Sequence, residues 1–253
     1  MVSLTPALSC IACAGEGDDR KALYAAFSGT LDLLRRIDED AKRFLSKPPK
    51  IEHVDFSFPY ISTLPKFGDS SEEFHFRIFK LHPDVQSYRQ LYVAETLDKE
   101  PIMVKFTRRY SIELHAFCAK RGYAPVIHGF QTLPGGWSVV AMEYILPPMH
   151  PSQSPDLTRL LDKWIDDLQK LVQSFHDKGF VHGDLREPNI LCDGEKVMLI
   201  DFDWGGEVGK ACYPHARLCD DLMKGRDGTG PQITKEDDRR VLKNTLEGLK
   251  NIH

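Results

Sequence analysis

Leu23, Ala26, Leu31, Leu34, Ile37, Ala41 and Leu45 recur mostly at three- and four-residue steps among charged positions. That spacing predicts a helix over 18–46, ended by Pro48-Pro49. Residues 51–72 carry Pro59, Pro65 and Gly68 without periodicity and read as a linker. From 74 to 106 the period falls to two, predicting strands at 74–79, 90–94 and 102–106, with a turn at His82-Pro83-Asp84. Helical spacing returns over 110–121, where Ile112, Leu114, Phe117 and Cys118 can share one face. Two further strands follow, 126–130 and 137–144, separated by Leu133-Pro134-Gly135-Gly136. Pro147, Pro148 and Pro151 then break the chain. Beyond them Leu157, Leu160, Leu161, Trp164, Ile165, Leu168, Leu171, Val172 and Phe175 predict a long amphipathic helix. A short hairpin turning at Asp193-Gly194-Glu195 and a last helix near 235–249 complete the pattern. Strands with one inserted helix, a break, then a helical half predict an α+β fold in two lobes.

Composition narrows the function. The 253 residues are 42% hydrophobic and 28% charged, as in a folded protein rather than a disordered one. A net charge of -4 argues against a protein devoted to a nucleic-acid backbone or an anionic membrane. The small basic cluster Lys105, Arg108 and Arg109 does not change that, since aromatic residues are not interleaved with it. No apolar run approaches the ~20 residues that a membrane span needs. Cys10-Ile-Ala-Cys13 is a lone CxxC, and Cys212 and Cys219 do not supply a second pair at zinc-site spacing. Scattered cysteines, and no Lys or Arg before Ala12-Cys13-Ala14, predict a cytoplasmic protein.

The chemistry concentrates between 181 and 206. A helix ending at Gly179 delivers Asp184 and Asn189 on a polar loop, and the very apolar second strand of the hairpin ends at Asp201. Acidic residues at the ends of apolar strands suit Mg²⁺ held by one or two protein oxygens plus phosphate. Asp184 is placed to take a proton from an attacking hydroxyl. A hairpin that merely has polar ends would carry the same residues without the chemistry.

His182-Gly183-Asp184-Leu185-x-x-x-Asn189 resembles the catalytic loop of the protein-kinase-like superfamily, and Asp201-Phe202-Asp203 resembles its magnesium-binding DFG element. The resemblance implies a two-lobed kinase-like fold binding ATP and Mg²⁺, with Asp184 as catalytic base and Asn189 and Asp201 as metal ligands. It makes Lys105 the lysine that meets the ATP phosphates and Glu113 its ion-pair partner, only eight residues on. Met142 would stand beside the adenine. The Glu143 carbonyl and the Ile145 N–H would bond the adenine edge, and Leu191 would floor the pocket. The implied organisation is an N-terminal helical extension with linker over 1–60, an N-lobe over 61–145 and a reduced C-lobe over 146–253.

Three departures qualify the resemblance. No GxGxxG lies between the first two strands, where His82-Pro83-Asp84-Val85-Gln86 stands instead. The motifs read HGD and DFD, as in aminoglycoside phosphotransferases and lipopolysaccharide sugar kinases. Only fifty residues follow Asp203, too few for the helical subdomain on which protein kinases dock peptides. The whole, including Tyr110, Ile112-Glu113-Leu114-His115 and Ala124-Pro125, is similar to small kinase-like proteins of basidiomycete fungi. The implied reaction is Mg²⁺-dependent transfer of the ATP γ-phosphoryl group to a hydroxyl, on a small molecule rather than a protein. The rival is a pseudokinase that binds a nucleotide or a protein partner without turnover.

Overall fold

The computed structural model describes residues 17–46, 59, 61–82, 90–133, 136–214, 218–226 and 230–252. The CxxC, the Pro48-Pro49 stop, residues 83–86 of the first turn and Pro134-Gly135 lie outside the described residues. Gly17–Ser46 forms α1, the helix that the spacing predicts. Its i,i+4 pair Lys42–Asp38 closes at 2.6 Å, and Leu31, Leu34 and Ile37 of the apolar stripe are exposed.

The remaining elements make a two-lobed α+β fold. Strands β1 (Thr63–Lys66), β2 (Asp69–Leu81), β3 (Gln90–Thr96) and β4 (Pro101–Thr107) precede helix α2 (Ile112–Ala119). Strands β5 (Ile127–Leu133) and β6 (Trp137–Glu143) follow, and all six strands close into a barrel in the order β1-β2-β3-β4-β6-β5. Part of the expected linker is therefore strand. Pro65 is tolerated in β1 because the register with β2 shifts beside it, and Gly68 (φ 89°) makes the β1–β2 turn. The barrel closes where Lys66 of β1 meets Gly129 of β5. A Cβ on Gly129 would stand 3.0 Å from Leu64 Cβ and 3.2 Å from the Pro65 carbonyl, so a side chain there would force β1 away.

Strand alternation decides which way Lys105 faces. Ile102 and Val104 of β4 fill the barrel interior with Leu64, Phe76, Ala94, Val139 and Ala141. Met103 therefore faces the other way, packing with Val140 and Met142 beneath α2, and Lys105 shares that face.

The second lobe is built on α3 (Leu157–Asp177), whose Leu157, Leu160, Trp164, Leu168, Leu171 and Phe175 lie on one buried stripe. The helix stops at Gly179 (φ 81°), whose N–H bonds the His176 carbonyl. Next come β7 (Phe180–Val181), the hairpin β8 (Ile190–Asp193) and β9 (Lys196–Leu199), and β10 (Gly206–Glu207), which pairs back onto β7. The short α4 (Asp220–Met223) and then α5 (Lys235–Lys250) end the fold, and α5 packs Val241, Leu242, Leu246 and Leu249 into the α3 core.

Helix α5 opens with a capping box. Thr234 Oγ1 accepts the Asp237 N–H at 3.1 Å, and Asp237 Oδ2 accepts the Thr234 N–H at 3.1 Å. Thr234→Ala should therefore cost about 1 kcal/mol in urea unfolding with an unchanged denaturant slope. No loss would show that tertiary contacts alone hold the helix start.

Candidate active site

The loop that carries Asp184 hangs from one buried carboxylate. Asp238, 1% exposed in the first turn of α5, accepts the His182 N–H at 2.8 Å on Oδ2 and the Gly183 N–H at 2.7 Å on Oδ1. His176 Nε2 of α3 lies 3.0 Å from Oδ2 as a third partner. Gly183 takes φ 83°, a backbone conformation that favours glycine, and a Cβ there would also press on Ile233 Cδ1 at 2.7 Å. The sequence motif thus has a packing cause in this chain.

Asp184 is nearly buried, and Arg186 grips both its oxygens, Nε to Oδ1 at 2.6 Å and Nη2 to Oδ2 at 2.9 Å. Hydrogen bonding to Asp184 pushes the guanidinium pKa further up. Asn189 Nδ2 donates to the Asp184 carbonyl at 3.0 Å, which leaves the side-chain oxygen for another partner. The Asn189 carbonyl in turn accepts the Ile200 N–H at 3.0 Å, tying the loop to the start of the Asp201-Phe202-Asp203 turn.

Across the cleft, Lys105 Nζ meets Asp201 Oδ1 at 2.6 Å and Asp203 Oδ1 at 2.7 Å. Burial works to lower the Lys105 pKa, but the two carboxylates outweigh it and the pKa is raised. Burial pushes the Asp203 carboxyl up, against the pull of Lys105 and with the repulsion of Asp201. Between the two carboxylates Phe202 points into the core, 1% exposed and stacked on His115 at 4.5 Å.

Lys105, Asp184, Asn189 and Asp201 are therefore linked by a chain of contacts, part of it through the backbone. Glu113 is not among them. It is exposed on the first turn of α2, because Leu114, His115 and Cys118 take the buried face, and Lys105 is paired with the two aspartates instead. Met142 is buried at the end of β6 and Leu191 is buried on β8. The Glu143 N–H donates to the Val126 carbonyl at 2.8 Å and its carboxylate accepts the Val126 N–H at 3.1 Å, while Ile145 is half-buried just beyond the strand. The basic cluster diverges: Arg108 lies over the Trp137 ring and Arg109 donates to the Cys212 carbonyl at 3.1 Å.

The donor set suits a hard divalent cation. Two carboxylates and an amide oxygen are the ligands that Mg²⁺ takes, alongside phosphate and water. Among the described residues, no group of three or more His, Cys, Asp or Glu side chains is placed to hold a metal. No described helix is long and apolar enough to cross a membrane.

Residues 137–206, from β6 to the start of β10, match the phosphotransferase enzyme family APH. Among solved structures the chain is similar to the kinase PK-1 of Cydia pomonella granulovirus, at 14% identity over 70% of this chain and 71% of that one, with a TM-score of 0.56. That likeness shows a protein-kinase-like fold. No protein of curated function matches the chain.

His115 links these parts. Its ring is fully buried, Nε2 bonds the Pro125 carbonyl at 2.8 Å, and Nδ1 lies 2.7 Å from Tyr110 Oη. A neutral imidazole satisfies both contacts, donating from Nε2 and accepting from Tyr110. Burial pushes its pKa down from 6.5 to about 4. A lowered histidine pKa adds stability that is complete above pH 6.5 and is lost as pH falls from there to about 4. The loss should reach roughly 3 kcal/mol at most. Wild type and His115→Gln, unfolded in urea between pH 7.5 and 4.5, should differ in slope by that contribution; parallel curves would contradict a buried neutral His115.

Proposed function

We propose that the protein transfers the γ-phosphoryl group of ATP to a hydroxyl, with Mg²⁺ and on a small-molecule acceptor. One observation carries this reading: a lysine from the barrel lobe and Asp184, Asn189 and Asp201 from the helical lobe share one contact network. The phosphotransferase-family match over 137–206 spans three of the four and supports the same class. On this reading residues 61–145 supply the N-lobe, 146–253 the C-lobe and 1–60 an extension.

Mg²⁺ bound by Asn189 and Asp201 would offset the charge of the phosphates. Lys105 would reach phosphate oxygens from the barrel side. Met142 and Leu191 would sandwich the adenine, with the Glu143 carbonyl and the Ile145 N–H on its edge. Asp184 would accept the acceptor's proton, its position fixed by Asp238 through the loop backbone. Catalysis of this kind rests on positioning and charge neutralisation.

The Arg186 grip on Asp184 favours a second reading, nucleotide binding without turnover, because both carboxylate oxygens are engaged. Asp184→Asn separates the two. In a screen of small hydroxylated metabolites, aminoglycosides and generic protein substrates, a working enzyme should lose roughly 10²–10⁴ in kcat. ATP·Mg²⁺ affinity should stay within a few-fold. Equal behaviour of wild type and variant across the screen, with ATP bound by both, would replace the enzyme with the binder.

A further inference from the structure

The Lys105 contacts carry a consequence for metal binding that rests on the phosphotransferase reading of the cleft. A lysine paired with a glutamate on α2 would leave the metal-binding aspartate to itself. Here the ammonium is 2.6 Å from Asp201 Oδ1 and 2.7 Å from Asp203 Oδ1. Two carboxylate oxygens, two residues apart, converge on one cationic centre. The backbone is shaped for this. Asp201 has φ 63°, a left-handed conformation uncommon for a residue other than glycine, and buried Phe202 anchors the turn between the two acids. A glycine at 203, as in the DFG element, would supply one carboxylate only. The side chains are 16% (Lys105), 19% (Asp201) and 27% (Asp203) exposed, so solvent screens the cluster only in part.

We propose that Asp203 is a second carboxylate ligand of the divalent cation and that Lys105 is an internal counter-cation competing for the same two oxygens. An ammonium and a divalent ion drawn to one carboxylate pair repel each other by enough to cost at least ~10-fold in affinity. A nucleotide polyphosphate removes the conflict by giving Lys105 new anionic partners and the metal new oxygen ligands. Metal and nucleotide are therefore coupled, each raising the affinity for the other by the same factor. Asp203 thereby fills the counter-ion role that Glu113 does not fill.

Mn²⁺ is the probe, its free aquo ion read by electron paramagnetic resonance on the full chain. Wild type should bind Mn²⁺ weakly alone and at least ~10-fold tighter with a non-hydrolysable ATP analogue. Lys105→Met should bind Mn²⁺ alone at least ~10-fold tighter than wild type and lose most of the coupling. Asp203→Asn should weaken Mn²⁺ binding in the presence of the analogue. The double variant Lys105→Met/Asp203→Asn should lose the gain of Lys105→Met, which a double-mutant cycle reads directly. If Lys105→Met is destabilised by its unpaired carboxylates, Mn²⁺ should raise its melting temperature more than that of wild type. No gain in Mn²⁺ response for Lys105→Met by either readout, or wild-type metal affinity in Asp203→Asn, overturns the proposal. Turnover with a flat Mn²⁺ response would sink this inference alone. The predicted Mn²⁺ response without turnover on any acceptor would sink the phosphotransferase reading and leave the metal site standing.

Discussion

A carboxylate taken out of water persists only where donors replace the water it has lost, and Asp238 has them from two directions. The His182 and Gly183 amides and the His176 ring converge on it from the loop that carries Asp184 and from α3. The same contacts solve the loop's own problem, because those amides would otherwise be buried without acceptors. Helix α5 is in this sense the foundation of the site. Its capping box fixes where the helix starts, Asp238 lies one position after the capping Asp237, and the loop carrying Asp184 is bonded to Asp238. Gly183 completes the fit, since Ile233, just ahead of α5, occupies the space a side chain would need.

The barrel lobe reaches the same cleft by a different rule. Period-two alternation on β4 sends Ile102 and Val104 inward and puts Lys105 on the opposite face. The lysine then meets two carboxylates that a left-handed Asp201 presents together. The barrel lobe carries Lys105 on β4, the helical lobe carries its residues on a loop and a turn, and the ion pairs of Lys105 cross between them.

Much of this was legible in the sequence where local rules decide. The helices α1, α3 and α5, the β8–β9 hairpin and the pair of strands around Pro134-Gly135 follow from spacing and turn residues. The two-lobed kinase-like fold followed from Asp184, Asn189 and Asp201 at their offsets. Strand β1 was missed because Pro65 and Gly68 read as breakers, whereas the strand is held by pairing with β2 and, far along the chain, with β5. Glu113 was expected beside Lys105, but the buried face of α2 belongs to Leu114, His115 and Cys118 and turns the glutamate outward. Asp238 left a signal that could have been read: it is an acidic residue on the apolar stripe of Val241, Leu242, Leu246 and Leu249. What no local pattern could give was its partners, more than fifty residues back along the chain.

The central claim is that this network is an ATP·Mg²⁺ site, and ligand-induced thermal stabilisation tests it most directly. At ATP about 100 times its dissociation constant, a single site should add ~2.7 kcal/mol to wild-type stability. The shift should depend on Mg²⁺, and Asp201→Ala should lose the Mg²⁺-dependent part while remaining folded. A wild type whose melting temperature does not move with ATP and Mg²⁺, or an Asp201→Ala variant with the full magnesium response, would contradict the account.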